Sequence, residues 1–332
     1  MNDLEVLRPG AVAARAGAVE ELPDVNDRVI EHAVSVVIPA YNEAAHVAQQ
    51  IRDVHREMER SGWRYEILVV DDGSTDGTAD KAPVAAEECG ARVRRRRRNR
   101  GYGATLKQGI QHARFDWILI TDADGTYPVE SIHTLLAAAD GNAMVVGARI
   151  GRTVKIPLAR RPAKAFLRWL ASFLAGQELP DINSGLRLMR RDLVERFVHL
   201  LPSGFSFTTT ITLAATTNDY AVEYIPIDYR ARLGESKIRP RNAYDFLLLI
   251  LRVIVFFNPL KVFIPLGASL FVIGLGKFLY DLTEDNVSET AVLGVLGALV
   301  VWAVGLLADQ NARVANNLRH LSRDTAGRSE DA

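Results

Sequence analysis

Twice in this chain an apolar, β-branched run ends directly in carboxylates on a tight turn. Residues 67–77 read Ile-Leu-Val-Val-Asp-Asp-Gly-Ser-Thr-Asp-Gly, and residues 118–128 read Ile-Leu-Ile-Thr-Asp-Ala-Asp-Gly-Thr-Tyr-Pro. Runs of this kind, bounded by Asp and Gly, are strands that stop at turns. Side chains two apart on an extended segment project to the same side, so Asp122 and Asp124 can face one hard divalent cation and the phosphates it carries. An Asp-Gly turn or a helix-capping carboxylate is the ordinary explanation for either pair alone. Two acidic strand ends in one α/β domain point instead to a nucleotide-diphosphate site.

The surrounding pattern has the same sense. Residues 34–39, 66–70, 117–121 and 143–147 read as strands, separated by amphipathic helical stretches such as 44–59. This alternation predicts a doubly wound, mostly parallel sheet, whose ligands bind beyond the carboxyl ends of the strands. Each acidic turn lies at such an end. So does Pro39-Ala-Tyr-Asn-Glu43, whose ring and carboxylate suit a base and its ribose.

The 332 residues are 48% hydrophobic, enough for a large core. With 40 basic and 40 acidic residues the net charge is zero. Nucleic acid is therefore not an expected partner, and the Arg94 to Arg98 run, without interleaved aromatics, reads as a solvated face. The single cysteine, Cys89, excludes an internal disulfide framework.

The C-terminal third changes character. Residues 260–280 carry only Lys261 and Lys277 as charges, and residues 291–307 carry none, giving two stretches near bilayer-spanning length. Asp281, Glu284, Asp285 and Glu289 lie between them; Arg313, Arg319, Arg323 and Arg328 follow. The positive-inside rule then places the acidic loop outside and the large domain and basic tail in the cytoplasm, on the inner membrane of the cell. Residues 244–257 are apolar but too short to cross, and read as a surface helix with Arg252 reaching lipid phosphates. The expected organisation is a mobile leader (1–30), a catalytic domain (31–241), a membrane-surface segment (242–258), a transmembrane hairpin (259–309) and a basic tail (310–332). No cleavable signal peptide is visible.

Competing patterns fail on their own residues. Gly101-Tyr-Gly103-Ala-Thr-Leu lacks the third glycine of a dinucleotide fingerprint. A calcium loop starting at Asp122 would have Tyr127 at its glycine position and His133 at its glutamate position. Ser35 and Ser74 have no adjacent histidine to activate them. Arg168-Trp169 is similar to the Arg-Trp of processive polysaccharide synthases but has no Gln three residues before it, and Trp169 reads as a packing residue.

In this order and spacing, Val-Val-Ile-Pro-Ala-Tyr-Asn-Glu, Val-Val-Asp-Asp-Gly-Ser-Thr-Asp-Gly-Thr, Asn99-Arg-Gly-Tyr-Gly and the Asp-Ala-Asp turn resemble family 2 glycosyltransferases of the GT-A fold, over roughly residues 34–240. Asp181-Ile-Asn-Ser-Gly-Leu-Arg187 and Tyr229-Arg-Ala-Arg-Leu-Gly-Glu-Ser-Lys237 resemble the polyprenyl-phosphate branch, typified by dolichyl-phosphate mannosyl- and glucosyltransferases. The resemblance implies that Pro39, Tyr41, Glu43, Asp71 and Asp72 hold the nucleoside. It implies that Asp122 and Asp124 hold Mg²⁺ or Mn²⁺ with the diphosphate, that Arg149, Arg160 and Lys164 hold the lipid phosphate, and that Arg187, Arg232 and Lys237 close over the pyrophosphate. Two residues depart from the pattern: Thr126 stands where the family often has a Gln near the metal, and Lys164 where it often has Ser.

The implied function is inverting transfer of one sugar from a nucleotide-diphosphate donor of the GDP-mannose or UDP-glucose type to a membrane polyprenyl phosphate. The alternatives are a transferase acting on a glycan or glycolipid hydroxyl, and a membrane-tethered nucleotide-sugar-binding protein without turnover. Expected partners are the donor, the lipid and the membrane. Self-association through the transmembrane helices is left open.

Overall fold

Residues 33–40 are almost entirely apolar because the strand they form is covered on both faces; every one of them is buried. The computed structural model describes residues 32–150, 169–173, 175–204, 206–229, 251, 255–256, 258–284 and 288–330, with side chains described up to 314. Seven strands form one sheet: β1 (Ala33–Ala40), β2 (Arg64–Asp71), β3 (Arg92–Arg95), β4 (Trp117–Ile120), β5 (Met144–Ala148), β6 (Arg187–Arg190) and β7 (Val222–Pro226). Their order is β3-β2-β1-β4-β6-β5-β7. The four strands anticipated from sequence are β1, β2, β4 and β5, each within a few residues of its expected bounds. The pairs β1–β2, β1–β4, β2–β3 and β5–β7 are parallel. β6 is the exception: it runs antiparallel between β4 and β5, with Arg187 opposite Ile120 on one side and Val146 on the other.

Helices cover both faces. α1 (Val47–Ser61) buries Val47, Ile51, Val54 and Met58, a stripe at three- and four-residue spacing, and ends at Gly62 with φ of 73°. It packs against α2 (Thr78–Glu88) and α4 (Ser131–Ala137), where His133 Nε2 lies 2.8 Å from Glu57 Oε2. The other face is covered by α3 (Tyr102–Gln111), α5 (Arg191–Phe197) and α6 (Phe207–Thr216). Leu106, Ile110, Val194, Phe197, Phe207 and Ile211 pack there on Val37, Ile118, Ile120, Met144 and Met189. α1 begins three residues later than its pattern suggests because residues 42–44 are tied down. Asn42 has a positive φ of 55°; its amide donates to Ser74 Oγ at 2.9 Å, and its Oδ1 accepts from the Thr75 amide at 2.9 Å. The amides of Glu43 and Ala44 donate to Thr78 Oγ1 and Asp76 Oδ2.

Beyond the sheet come α7 (Leu260–Thr283) and α8 (Glu289–Glu330). α7, with 24 residues, and Glu289–Val314 of α8, with 26, are long and apolar enough to cross a bilayer. Their shared seam is built from small residues seven apart: Gly267 and Gly274 on α7, and Ala291, Ala298 and Gly305 on α8. At Gly274 a Cβ would come within 2.7 Å of the Gly294 backbone, so neither glycine can carry a side chain without parting the helices. Asp281, expected in the exposed acidic loop, is buried instead. It accepts from Lys277 Nζ, from Ser288 Oγ and, at 2.9 Å, from the Ser288 amide, closing the end of the hairpin. The other hairpin end meets the domain, where Val262 packs on Ala171, Leu179, Ile182 and Leu213. The expected tail is helical through Glu330. The leader lies outside the described residues, as does most of the membrane-surface segment.

Candidate active site

The carboxylates at the end of β4 alternate with a buried methyl. Ala123 is 2% exposed, while Asp122 and Asp124 on either side are partly exposed. Each is held by a hydroxyl from a different part of the chain. Tyr102, at the start of α3, donates its OH to Asp122 Oδ1 at 3.0 Å. Thr126 donates twice to Asp124 Oδ1, from its amide at 3.1 Å and its hydroxyl at 2.7 Å. Burial, and then the adjacent charge of Asp122, push the Tyr102 phenol well above its usual range, so it keeps its proton and remains a donor. Burial likewise raises Tyr127, whose OH accepts from the Gly185 amide at 2.6 Å.

Residues 181–187 lock this turn to the end of β5. Gly185 lies beneath Asp122, where a Cβ would stand 2.6 Å from Oδ2, so any larger residue would displace that carboxylate. Ser184 Oγ donates to the Gly147 carbonyl at 2.6 Å. Asp181 accepts a fork from Arg149, Nε at 2.7 Å and Nη2 at 2.9 Å, and also the Arg149 amide at 3.0 Å. Burial works against ionisation of Asp181, but the Arg149 bonds outweigh it and hold the carboxyl below its usual range. The Arg149 guanidinium is raised by the same pair against the opposing effect of burial, and it stacks 5.3 Å from the ring of Tyr229, which meets Tyr127 edge-on.

The end of β2 is equally constrained. Asp71 is fully buried; its Oδ1 accepts from the Ser74 amide and hydroxyl, while its Oδ2, 3.4 Å from Arg95 Nε, has no hydrogen-bond partner among the described residues. Asp72 accepts from the amides of Arg100 and Gly101, and Arg96 Nη1 lies 3.3 Å away. Asp72 thus pins the residue 96–101 loop. Pro39 lies within β1 opposite Val70, Tyr41 follows the strand partly exposed, and Glu43 Oε2 is 3.9 Å from His46 Nδ1.

Arg187 is the clearest correction. Expected to close over a pyrophosphate, it has no exposure. Its guanidinium donates to the carbonyls of Ser184 and Thr208 and to Thr212 Oγ1, because β6 carries it into the middle of the sheet. Burial among these neutral acceptors lowers its pKa. Arg160, Lys164, Arg232 and Lys237 lie outside the described residues. Tyr102, Thr126, Tyr127 and Gly185 were not assigned roles from sequence, although the motifs at 99–103 and 181–187 contain two of them.

The donor set limits what the β4 turn can hold. Among the described residues no cluster of three or more His, Cys, Asp or Glu surrounds a metal position. Two carboxylates alone fit a hard cation whose remaining positions are filled by a diphosphate and water.

Residues 35–198 match the glycosyl transferase family 2 model, and residues 258–314 match the GtrB C-terminal hairpin model. The chain is 33% identical over 308 residues to undecaprenyl-phosphate 4-deoxy-4-formamido-L-arabinose transferase of Enterobacter sp. (strain 638), covering 87% of this chain and 90% of that protein. It is 29% identical over 328 residues to the protein of that name from Klebsiella pneumoniae, covering 90% and 97%. The fold is similar to glucosyl-3-phosphoglycerate synthase from Mycobacterium tuberculosis, solved with Mn²⁺, UDP and phosphoglyceric acid, with a TM-score of 0.53, 21% identity and coverage of 67% of this chain and 78% of that one.

Proposed function

Since the chain belongs to glycosyl transferase family 2, among the enzymes that use a polyprenyl phosphate acceptor, we propose that it moves one sugar from a nucleotide-diphosphate donor to that phosphate in a single in-line displacement with inversion. The observation that carries this reading is the joining of the Asp122/Asp124 strand end to a two-helix apolar hairpin in a chain 33% identical to an undecaprenyl-phosphate sugar transferase across 87% of its length.

The chemistry follows from the acceptor. A phosphate monoester has a second pKa of about 6, so near neutral pH it is largely the dianion and needs no general base. What it needs is cationic positioning, assigned here to Arg160 and Lys164. Arg149, which is paired with Asp181 and lies against the Tyr229 ring, is assigned to the same phosphate. Arg232 and Lys237 serve the pyrophosphate. Asp122 and Asp124 hold Mg²⁺ or Mn²⁺, which would offset the charge that develops on the departing diphosphate. Asp71 and Asp72, at the end of β2, are assigned to the nucleoside side of the site. Pro39, Tyr41 and Glu43 line the same strand end. The enzyme is a membrane protein, and the excess of arginine after the second span supports a cytoplasmic catalytic domain.

Incubating membranes that contain the protein with labelled nucleotide sugars and polyprenyl phosphate, then extracting lipid, tests the whole reading. Label in an acid-labile polyprenyl-phosphate sugar is expected. Label in a glycan or glycolipid, or nucleotide binding without product, would replace it with one of the alternatives.

A further inference from the structure

Two carboxylates that must converge on one cation repel each other, so something has to hold them in place beforehand. Two neutral hydroxyls are in hydrogen-bond contact with them at the β4 turn. Thr126 is buried, and its amide and hydroxyl both donate to Asp124 Oδ1, which fixes that carboxylate against the turn. Tyr102 donates to Asp122 Oδ1 from the first turn of α3, while Gly185 backs the same carboxylate from beneath. One donor comes from α3 and the other from the turn itself, and they contact different carboxylates.

The position of Thr126 matters because a Gln there is long enough to reach a metal directly. A threonine side chain is shorter, and here its hydroxyl already lies on Asp124. The structure assigns Tyr102 and Thr126 as positioning residues that orient Asp122 and Asp124 for the divalent cation, Thr126 acting through Asp124 and not as a ligand. This inference rests on the metal reading of the two aspartates. Outer partners of metal ligands typically govern affinity by about 10–100-fold, since they fix the ligand's rotamer and basicity.

The test measures Mn²⁺ binding by the full-length protein in detergent, by titration calorimetry and by the electron paramagnetic resonance signal of free Mn²⁺. Wild type, Thr126→Val, Thr126→Ser, Tyr102→Phe and Asp124→Ala are compared, with thermal unfolding of each followed in chelator. Val and Phe keep shape and remove only the hydroxyl. Thr126→Val and Tyr102→Phe are expected to weaken Mn²⁺ binding by about tenfold or more. Thr126→Ser should restore it to within about twofold, and the metal-free unfolding temperatures of these variants should match wild type. In turnover assays the Mn²⁺ requirement should rise more than kcat falls. Wild-type affinity in Thr126→Val and Tyr102→Phe would overturn the assignment, and so would equal loss in Thr126→Ser and Thr126→Val, because the hydroxyl would then not be the active feature. The aspartates are checked separately. If Asp124→Ala binds Mn²⁺ as wild type does, or wild type binds none, the metal reading itself fails and the positioning role falls with it.

Discussion

Arg149 and Asp181 are 32 residues apart in sequence, yet both oxygens of the aspartate are taken by the arginine's fork, at 2.7 and 2.9 Å, and the arginine's own amide adds a third bond. The pair joins the end of β5 to the segment that carries Gly185 under Asp122. With 20% and 10% of their side chains exposed, the two ions are mostly out of water. Asp181→Ala should therefore leave a largely buried guanidinium unpaired and cost on the order of 3–5 kcal/mol of stability. Arg149→Lys keeps the charge but loses the fork, and should cost roughly 1–3 kcal/mol and impair turnover as well. Denaturant unfolding of both variants measures this; wild-type stability in Asp181→Ala would show the pair to be incidental.

The same pair sets an acid limit. Asp181 has its folded pKa held below the reference value of 3.8. Its contribution to stability is complete above that reference and disappears as pH falls through the lower folded value. Stability measured across about pH 5 to 2 should accordingly fall less steeply in Asp181→Asn than in wild type. Parallel curves would assign the acid transition to other carboxylates.

Asp124→Ala should abolish sugar transfer while leaving the fold intact, because the β4 turn is held independently through Ala123 and Tyr127. Loss of the cation at the leaving diphosphate should raise the barrier by several kcal/mol, on the order of a thousandfold or more in rate. Excess chelator should have the same effect on wild type, reversibly. Near-normal turnover in either case removes the metal role.

Arg187 gives a test of the opposite kind. If it only ties β6 to α6, Arg187→Lys will lose roughly 2–4 kcal/mol of stability, since a lysine cannot reach Ser184, Thr208 and Thr212 together. The donor KM of the remaining folded enzyme should change little. A large rise in donor KM at wild-type stability would return Arg187 to the pyrophosphate.

In the hairpin, Gly274→Val should destabilise the packed helices by about 1–3 kcal/mol, because a side chain there meets the Gly294 backbone. A lower unfolding temperature in detergent, and weaker transfer to polyprenyl phosphate in vesicles, are the expected readings. Val272→Ala, on an exposed face of α7, serves as the control and should change neither.

What the sequence determined by itself is local. β1, β2, β4 and β5 were legible because buried parallel strands are continuous apolar runs. The spans were legible because a bilayer demands long, nearly charge-free stretches. The position of Asp122 and Asp124 at a strand end was legible because the apolar run of β4 stops there. The seven-residue repeat of small side chains along α7 and α8 was also present in the sequence, but its meaning depends on which helix lies opposite.

Tertiary structure decided the rest. Arg187 reads as a surface cation in any local window, and it is buried only because β6 inserts antiparallel between β4 and β5, where three neutral acceptors from residues 184, 208 and 212 converge on its guanidinium. Asp72 accepts from the amides of Arg100 and Gly101, 28 and 29 residues further on, a tie that no local window reveals. Tyr102 and Asp122 are 20 apart, and nothing near either residue announces that the phenol will donate to the carboxylate. A charged or polar side chain has the same local signature whether water or the protein satisfies it. Only the folded packing determines which of the two does.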